Sequence, residues 1–156
     1  MREITLTVHG TPIPKGSAKG FVIRGTNRCI ITQNNRDKQK PWASAIQQAA
    51  LDEVGNEFRP VTSGVFIKSM LFYFNRPKSH YGSGKNADIV KKSAPEHHVT
   101  KPDLDKLERC ALDALTGIIW KDDSQVHHFG EHGKEYSDFE GMRITIQLQE
   151  DGNAQG

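Results

Sequence analysis

With 156 residues, 35% of them hydrophobic, the chain is long enough for one domain around a modest core. No run approaches the ~20 apolar residues that span a bilayer, and residues 1–19 lack the apolar centre of an export signal. The net charge of +2 hides a division: residues 1–101 hold 16 Lys/Arg against 7 Asp/Glu, net +9, and residues 102–156 hold 5 against 12, net −7. A basic part suits a polyanion and an acidic cluster suits a cation, although an uneven, merely solvated surface explains the composition as well.

In chain order, Glu3 to Val8 alternates with period two and predicts a strand. Gly10 to Gly20, rich in Gly, Pro and Lys, predicts a loop. Phe21-Val22-Ile23 and Cys29-Ile30-Ile31 flank Gly25-Thr26-Asn27 and predict a hairpin. Trp42, Ala45, Ile46, Ala49, Ala50 and Val54 share one face of a helix over 41–54, with Pro41 in its first turn and Gly55 at its end. Val65 to Phe74 (VFIKSMLFYF) is β-branched and aromatic and predicts a central strand.

Residues 76–101 differ. They carry Pro77, Gly82, Gly84 and Pro95 among lysines, with few apolar positions. A connection of this length is uncommon inside a domain, and a flexible basic loop is expected. Leu104 to Thr116 repeats apolar residues at three and four and predicts a second helix that stops at Gly117. Strands are expected over 126–131 and 142–148, the second alternating as MRITIQL, with a polar tail at 150–156. Strands before and after helices without a regular βαβ rhythm define the α+β class. One domain over 1–149 is expected, with a two-layer arrangement of a mixed or largely antiparallel sheet and two main helices. Cys29 and Cys110 cannot form a disulfide framework. Both are expected to be small core residues of a reduced, cytoplasmic protein.

The stretch KPDLDKLERCALDALTGIIWKDD, residues 101–123, has acids at both ends of the second helix. Asp103 and Asp105 lie at its entrance, and Asp122 and Asp123 lie beyond its exit. A short strand at Ile119-Trp120 returning beside the entrance would bring them together. Crowded carboxylates repel one another, and a hard divalent cation relieves that repulsion. Mg²⁺ takes oxygen ligands, usually few carboxylates plus waters. Taken singly, the same acids suit plainer roles, with Asp103 an N-cap, Asp105 a first-turn acid favoured by the helix dipole, and Asp122-Asp123 a solvated turn.

Three blocks together are more specific. Asp103-Leu104-Asp105-Lys106-Leu107, Leu112-Asp113-Ala114-Leu115 and Trp120-Lys121-Asp122-Asp123-Ser124-Gln125-Val126 resemble the signature of the RusA-type Holliday junction resolvases. That signature reads D-x-D-N-x-x-K, then D-A-L, then D-D-x-Q-[IV]. The resemblance implies essential, metal-holding carboxylates at Asp103, Asp105 and Asp123, and Mg²⁺ as cofactor with Mn²⁺ as a substitute. It implies supporting roles for Asp113 and Asp122, Asp113 either near the ion or bonded within the helix or to a basic neighbour. It also implies a homodimer that makes paired incisions in a four-way junction, leaving 5′-phosphate and 3′-hydroxyl ends. Phage-encoded members share the pattern, which is consistent with a prophage origin.

Two positions depart from the signature. Lys106 stands where Asn is usual, and Arg109 where Lys is usual. Arg109 retains phosphate affinity but cannot readily give up a proton. A phosphate grip and an ion pair with Asp105 or Asp113 are equal readings for it.

Pro12-Ile13-Pro14-Lys15-Gly16 resembles an N-terminal segment of the same family, so Lys15 and Lys19 are candidate DNA contacts, with Lys78, Lys85, Lys91, Lys92, Lys101 and Lys134. Arg24, Arg28, Arg36, Lys38 and Lys40 form a second basic cluster. His97-His98 are expected in the loop near DNA, and of His127-His128 one inward and one outward. Their spacing fits no zinc site. Outside the resolvase reading stand a branched-DNA-binding protein with weak or no cleavage, and a flap or fork nuclease.

Overall fold

In the computed structural model, residues 1–16, 18–22, 24–33 and 36–149 are described, with backbone alone for residues 18–21, 30–33 and 36. The tail and Ile23 of the expected hairpin lie outside them. The strands are β1 (Arg2–His9), β2 (Ala18–Val22), β3 (Cys29–Gln33), β4 (Val65–Phe74), β5 (Val126–Tyr136) and β6 (Gly141–Leu148). The helices are α1 (Arg36–Val54) and α2 (Leu104–Leu115). One sheet has the order β1-β6-β4-β5, and β2-β3 form a separate pair. β6 runs antiparallel to both β1 and β4, whereas β5 runs parallel to β4, so the main sheet is mixed. The α+β class stands.

β4 shows how pattern becomes register. Val65 and Ile67 are buried, then Met70, Phe72 and Phe74, so the alternation slips by one residue between them. The pairing with β6 shifts at the same place, between Ile67 and Ser69. A bulge there keeps Val65, Ile67, Met70, Phe72 and Phe74 all on the core face, where a slip without it would turn part of that set outward. Trp42, Ile46 and Ala50 of α1, with Leu107, Ala111 and Leu115 of α2, complete the core with β4 and β6.

Several expectations change. α1 begins at Arg36, so Pro41 lies inside the helix rather than in its first turn, and the Asp37 carbonyl loses its usual N–H partner. Cys110 is buried, but Cys29 is exposed, because β2 and β3 stand apart from the main sheet. Burial raises the Cys110 thiol pKa to about 11, which keeps it protonated and inert. β5 runs five residues beyond the strand expected at 126–131. It is an edge strand with little buried surface, so the alternation that reveals other strands is missing. For the same reason His127 and His128 are both exposed, with no inward partner.

β5 also passes close to β4's backbone. A methyl group added at Gly130 would overlap the Lys68 carbonyl oxygen, whereas at Gly133 its nearest neighbour is the Leu71 Cδ2 at 3.8 Å. Main chain cannot swing aside as a side chain can. Gly130→Ala should therefore cost about 2 kcal/mol or more in denaturant unfolding, with Gly133→Ala much milder. Equal costs at the two positions would remove the close-approach explanation.

Candidate active site

The long connection ends in a structure built around two cations. The Arg76 guanidinium lies 4.5 Å from the Tyr136 ring centroid and donates to the Pro95 and Glu96 carbonyls at 2.7 and 3.3 Å. Two short 3₁₀ turns, Lys78–His80 and Gly84–Asn86, and a Tyr81–Val90 bridge give the segment its own backbone bonds. Further along, the Lys134 ammonium of β5 donates to the Thr100 and Pro102 carbonyls at 2.6 and 2.9 Å. Burial lowers its pKa, opposed by the charge of Asp103. Lys134, a candidate DNA contact by sequence, spends its ammonium on two main-chain carbonyls. His97 pairs with Glu135 at 3.1 Å, so it faces β5.

That anchoring sets the entrance of α2. Asp103 is the N-cap residue, but its side chain makes no capping bond and lies 3.7 Å from the Lys106 ammonium. Asp105 follows in the exposed first turn. Arg109, four residues on, shares the Asp105 face of the helix and is exposed. It pairs with neither Asp105 nor Asp113. The Asp113 carboxylate instead takes the Lys15 ammonium at 2.7 Å. The Lys15 N–H also donates to the Lys106 carbonyl at 3.0 Å, which docks the N-terminal loop along α2. Lys19 lies on β2, and only its backbone is described. Lys78, Lys85, Lys91 and Lys92 are exposed on the long loop.

A cleft of about 610 Å³ opens beside Asp103. Its walls include Lys15, Lys38, Lys101, Lys106 and His98, drawn from four separate stretches of chain. Composition had placed Lys38 with the hairpin cluster, and no local pattern marks His98 as part of a wall. Only the tertiary fold joins them.

Asp123 is elsewhere. Trp120 does not return beside the helix entrance. It bridges to Thr116 and Val61, with its indole N–H donating to the Thr116 hydroxyl at 3.0 Å, all at the helix exit. The Gln125 amide donates to the Val61 and Ser63 carbonyls at 2.9 Å each, just before β4 begins. Asp103 shares its cleft with Phe74, where β4 ends. A ten-residue strand spans roughly 33 Å, and the twelve-residue α2 spans about 18 Å. Among the described residues, no three His, Cys, Asp or Glu side chains come close enough to share an ion. The expected convergence of Asp103, Asp105 and Asp123 does not occur within this chain.

The D-D-x-Q block also has an architectural use. Asp122 caps the turn Asp123–Gln125 by accepting from the Ser124 N–H at 2.8 Å, which lowers its pKa. The Gln125 side-chain oxygen accepts from the Lys121 and Asp122 N–H groups at 3.0 and 2.8 Å. Asp122 and Gln125 therefore hold the turn, and Asp123 projects from it exposed.

An α+β domain with two carboxylates at a helix entrance, beside a lysine-lined cleft, has the makings of an enzyme acting on a polyanion. Residues 10–149 match the family described as "Endodeoxyribonuclease RusA", and the chain belongs to that family. It is 31% identical over 149 residues to the uncharacterized protein YqaN of Bacillus subtilis (strain 168), covering 94% of this chain and 96% of that one. No helix among the described residues is long and apolar enough to cross a membrane.

Gln125→Ala removes two donated and two accepted bonds at once. The substitution should destabilise the protein by about 3 kcal/mol, near 1 per bond with some compensation by water. A denaturation midpoint unchanged from the parent would show that the turn is held by something else.

Proposed function

We propose that the protein is a divalent-metal-dependent, structure-selective endodeoxyribonuclease that resolves four-way DNA junctions. Family membership supplies the nuclease class. The observation that carries the reading is the pair Asp103 and Asp105 at the entrance of α2, with Asp103 on the wall of a cleft lined by four lysines.

Two carboxylates and several waters are a sufficient oxygen set for Mg²⁺, or Mn²⁺ in its place. Asp103 and Asp105 would hold the ion, with Asp123 as a further ligand. When bound, such an ion makes water more acidic and offsets charge on the scissile phosphate. The chain's own residues do the rest. Arg109, without an ion-pair partner among the described residues and on the Asp105 face, grips a phosphate oxygen with its guanidinium and does not act as a proton donor. Asp113 keeps Lys15 against α2, and Lys134 keeps the helix entrance in place. The exposed lysines of the long loop supply backbone affinity that weakens steeply with salt.

Junction resolution requires two matched cuts, most simply made by a two-fold dimer. The separation of Asp123 from the helix entrance gives that dimer a second role, in which each copy lends its Asp123 to the carboxylates of the other.

Incubation with labelled junction, flap, fork and duplex DNA in Mg²⁺, Mn²⁺ or EDTA tests the reading. Metal-dependent paired incision is expected on junctions. Binding without cuts in any metal would leave a binding module, and cuts on flaps but not junctions would leave a flap nuclease. Asp103→Asn and Asp123→Asn should each lower incision by at least about 10²-fold while junction binding in EDTA stays within a few-fold.

A mixture of these two inactive variants distinguishes the site's composition. If the site spans two copies, mixed dimers hold one site with every carboxylate intact and nick one strand. If each copy carries its own site, the mixture stays inactive.

A further inference from the structure

The cleft has a wall that the proposed reaction leaves unused. His98 is only 8% exposed, and its ring stacks on Phe74 at 4.4 Å and tilts against Tyr136 at 5.0 Å. Its Nδ1 is sealed from solvent with no hydrogen-bond partner. Burial first, and then the Lys134 charge, lower its pKa, so the ring is neutral near pH 7. A neutral imidazole carries one proton. With Nδ1 enclosed and unpartnered, that proton belongs on Nε2, the other nitrogen of a ring that lines the cleft.

The charges around it point to an anion. Lys15 and Lys106 are paired with Asp113 and Asp103. Lys38 of α1 and Lys101 at the end of the long loop border the same cleft, exposed, and form no ion pair among the described residues. Two such ammonium groups and a neutral N–H donor lining one cleft suit a singly charged phosphodiester, which has two free oxygens to share among them.

We propose that this cleft is a subsite for one DNA backbone phosphodiester next to the cleaved one, with His98 as the donor at its base and Lys38 and Lys101 as the charges at its mouth. The proposal rests on the nuclease reading and deepens it: His98 is a positioning residue that fixes the strand relative to Asp103. Nothing covalent is asked of it.

The test uses four-way junctions in which single linkages flanking the mapped cut are replaced by uncharged methylphosphonates. Binding is measured in EDTA. For the parent protein, one flanking linkage should cost about tenfold in affinity when neutralised. His98→Phe keeps the aromatic stack and loses both nitrogens. It should bind the unmodified junction several-fold more weakly, and neutralising that linkage should then cost it little more. Lys101→Gln, at an exposed position that does not endanger folding, should show the same loss of sensitivity. If either variant remains as sensitive as the parent at every linkage, so that the penalties multiply, its residue does not touch the phosphate and the subsite assignment fails. A parent protein that prefers no junction over duplex would bring down the junction-selective reading on which the proposal rests, a result distinct from normal junction binding with multiplied penalties.

Discussion

The Lys134 ammonium, held by the carbonyls of Thr100 and Pro102, is the constraint on which the site depends. It comes from the edge strand β5 and ends a connection that has almost no apolar residues of its own. Apart from His98, packed on Phe74 and Tyr136, such a segment has little to bury, so burial alone does not fix it. It is fixed by two cations whose donors satisfy main-chain carbonyls, Arg76 near its start and Lys134 at its end. Both depend on β5, Arg76 through the face of Tyr136 and Lys134 directly. Removing Lys134 would leave two carbonyls without donors at the point where the chain must turn into α2, so Asp103 and Asp105 would lose their fixed starting place before any carboxylate chemistry was touched.

The same anchoring explains why the acid blocks occupy different ends of the molecule. Lys134 pins the entrance of α2 at the far end of β4 and β5, and Gln125 pins the turn after the helix to the main chain just before β4. α2 bridges the two ends, and its apolar face has no freedom to fold back. A site that needs both ends must draw on another molecule. Under the proposed junction-resolving function, that requirement would agree with the symmetry of a substrate cut twice, and one geometric fact would serve both the ligand set and the stoichiometry.

Local patterns carried much of this to the sequence level. VFIKSMLFYF and MRITIQL became β4 and β6, and the three-and-four spacing from Leu104 to Leu115 became α2, because each signal reflects a face in direct contact with the core. β5 was only half legible, since an edge strand with glycines and charges has no core face to advertise. The acidic motif was legible as a motif but not as a place. Spacing along the chain shows that Asp123 follows a helix and a turn. It does not show that Trp120 pairs with Thr116 and Val61 at the exit. His98 and Lys38 were invisible as cleft residues because their association is entirely tertiary.

The charge division of the sequence acquires a spatial meaning from these contacts. A nuclease of this kind must present carboxylates to a cation and ammonium groups to a phosphate within one site, and the two sets attract and neutralise one another if left free. Here the basic N-terminal part and the acidic C-terminal part meet along α2. Part of that attraction is used in structure, as in Lys15 with Asp113, and within the acidic part Lys106 lies beside Asp103. Asp105, Arg109, Lys38 and Lys101 remain without ion-pair partners among the described residues. Pairing some charges while withholding others would let the proposed cation and phosphate be drawn to neighbouring points instead of the protein's own opposite charges collapsing together.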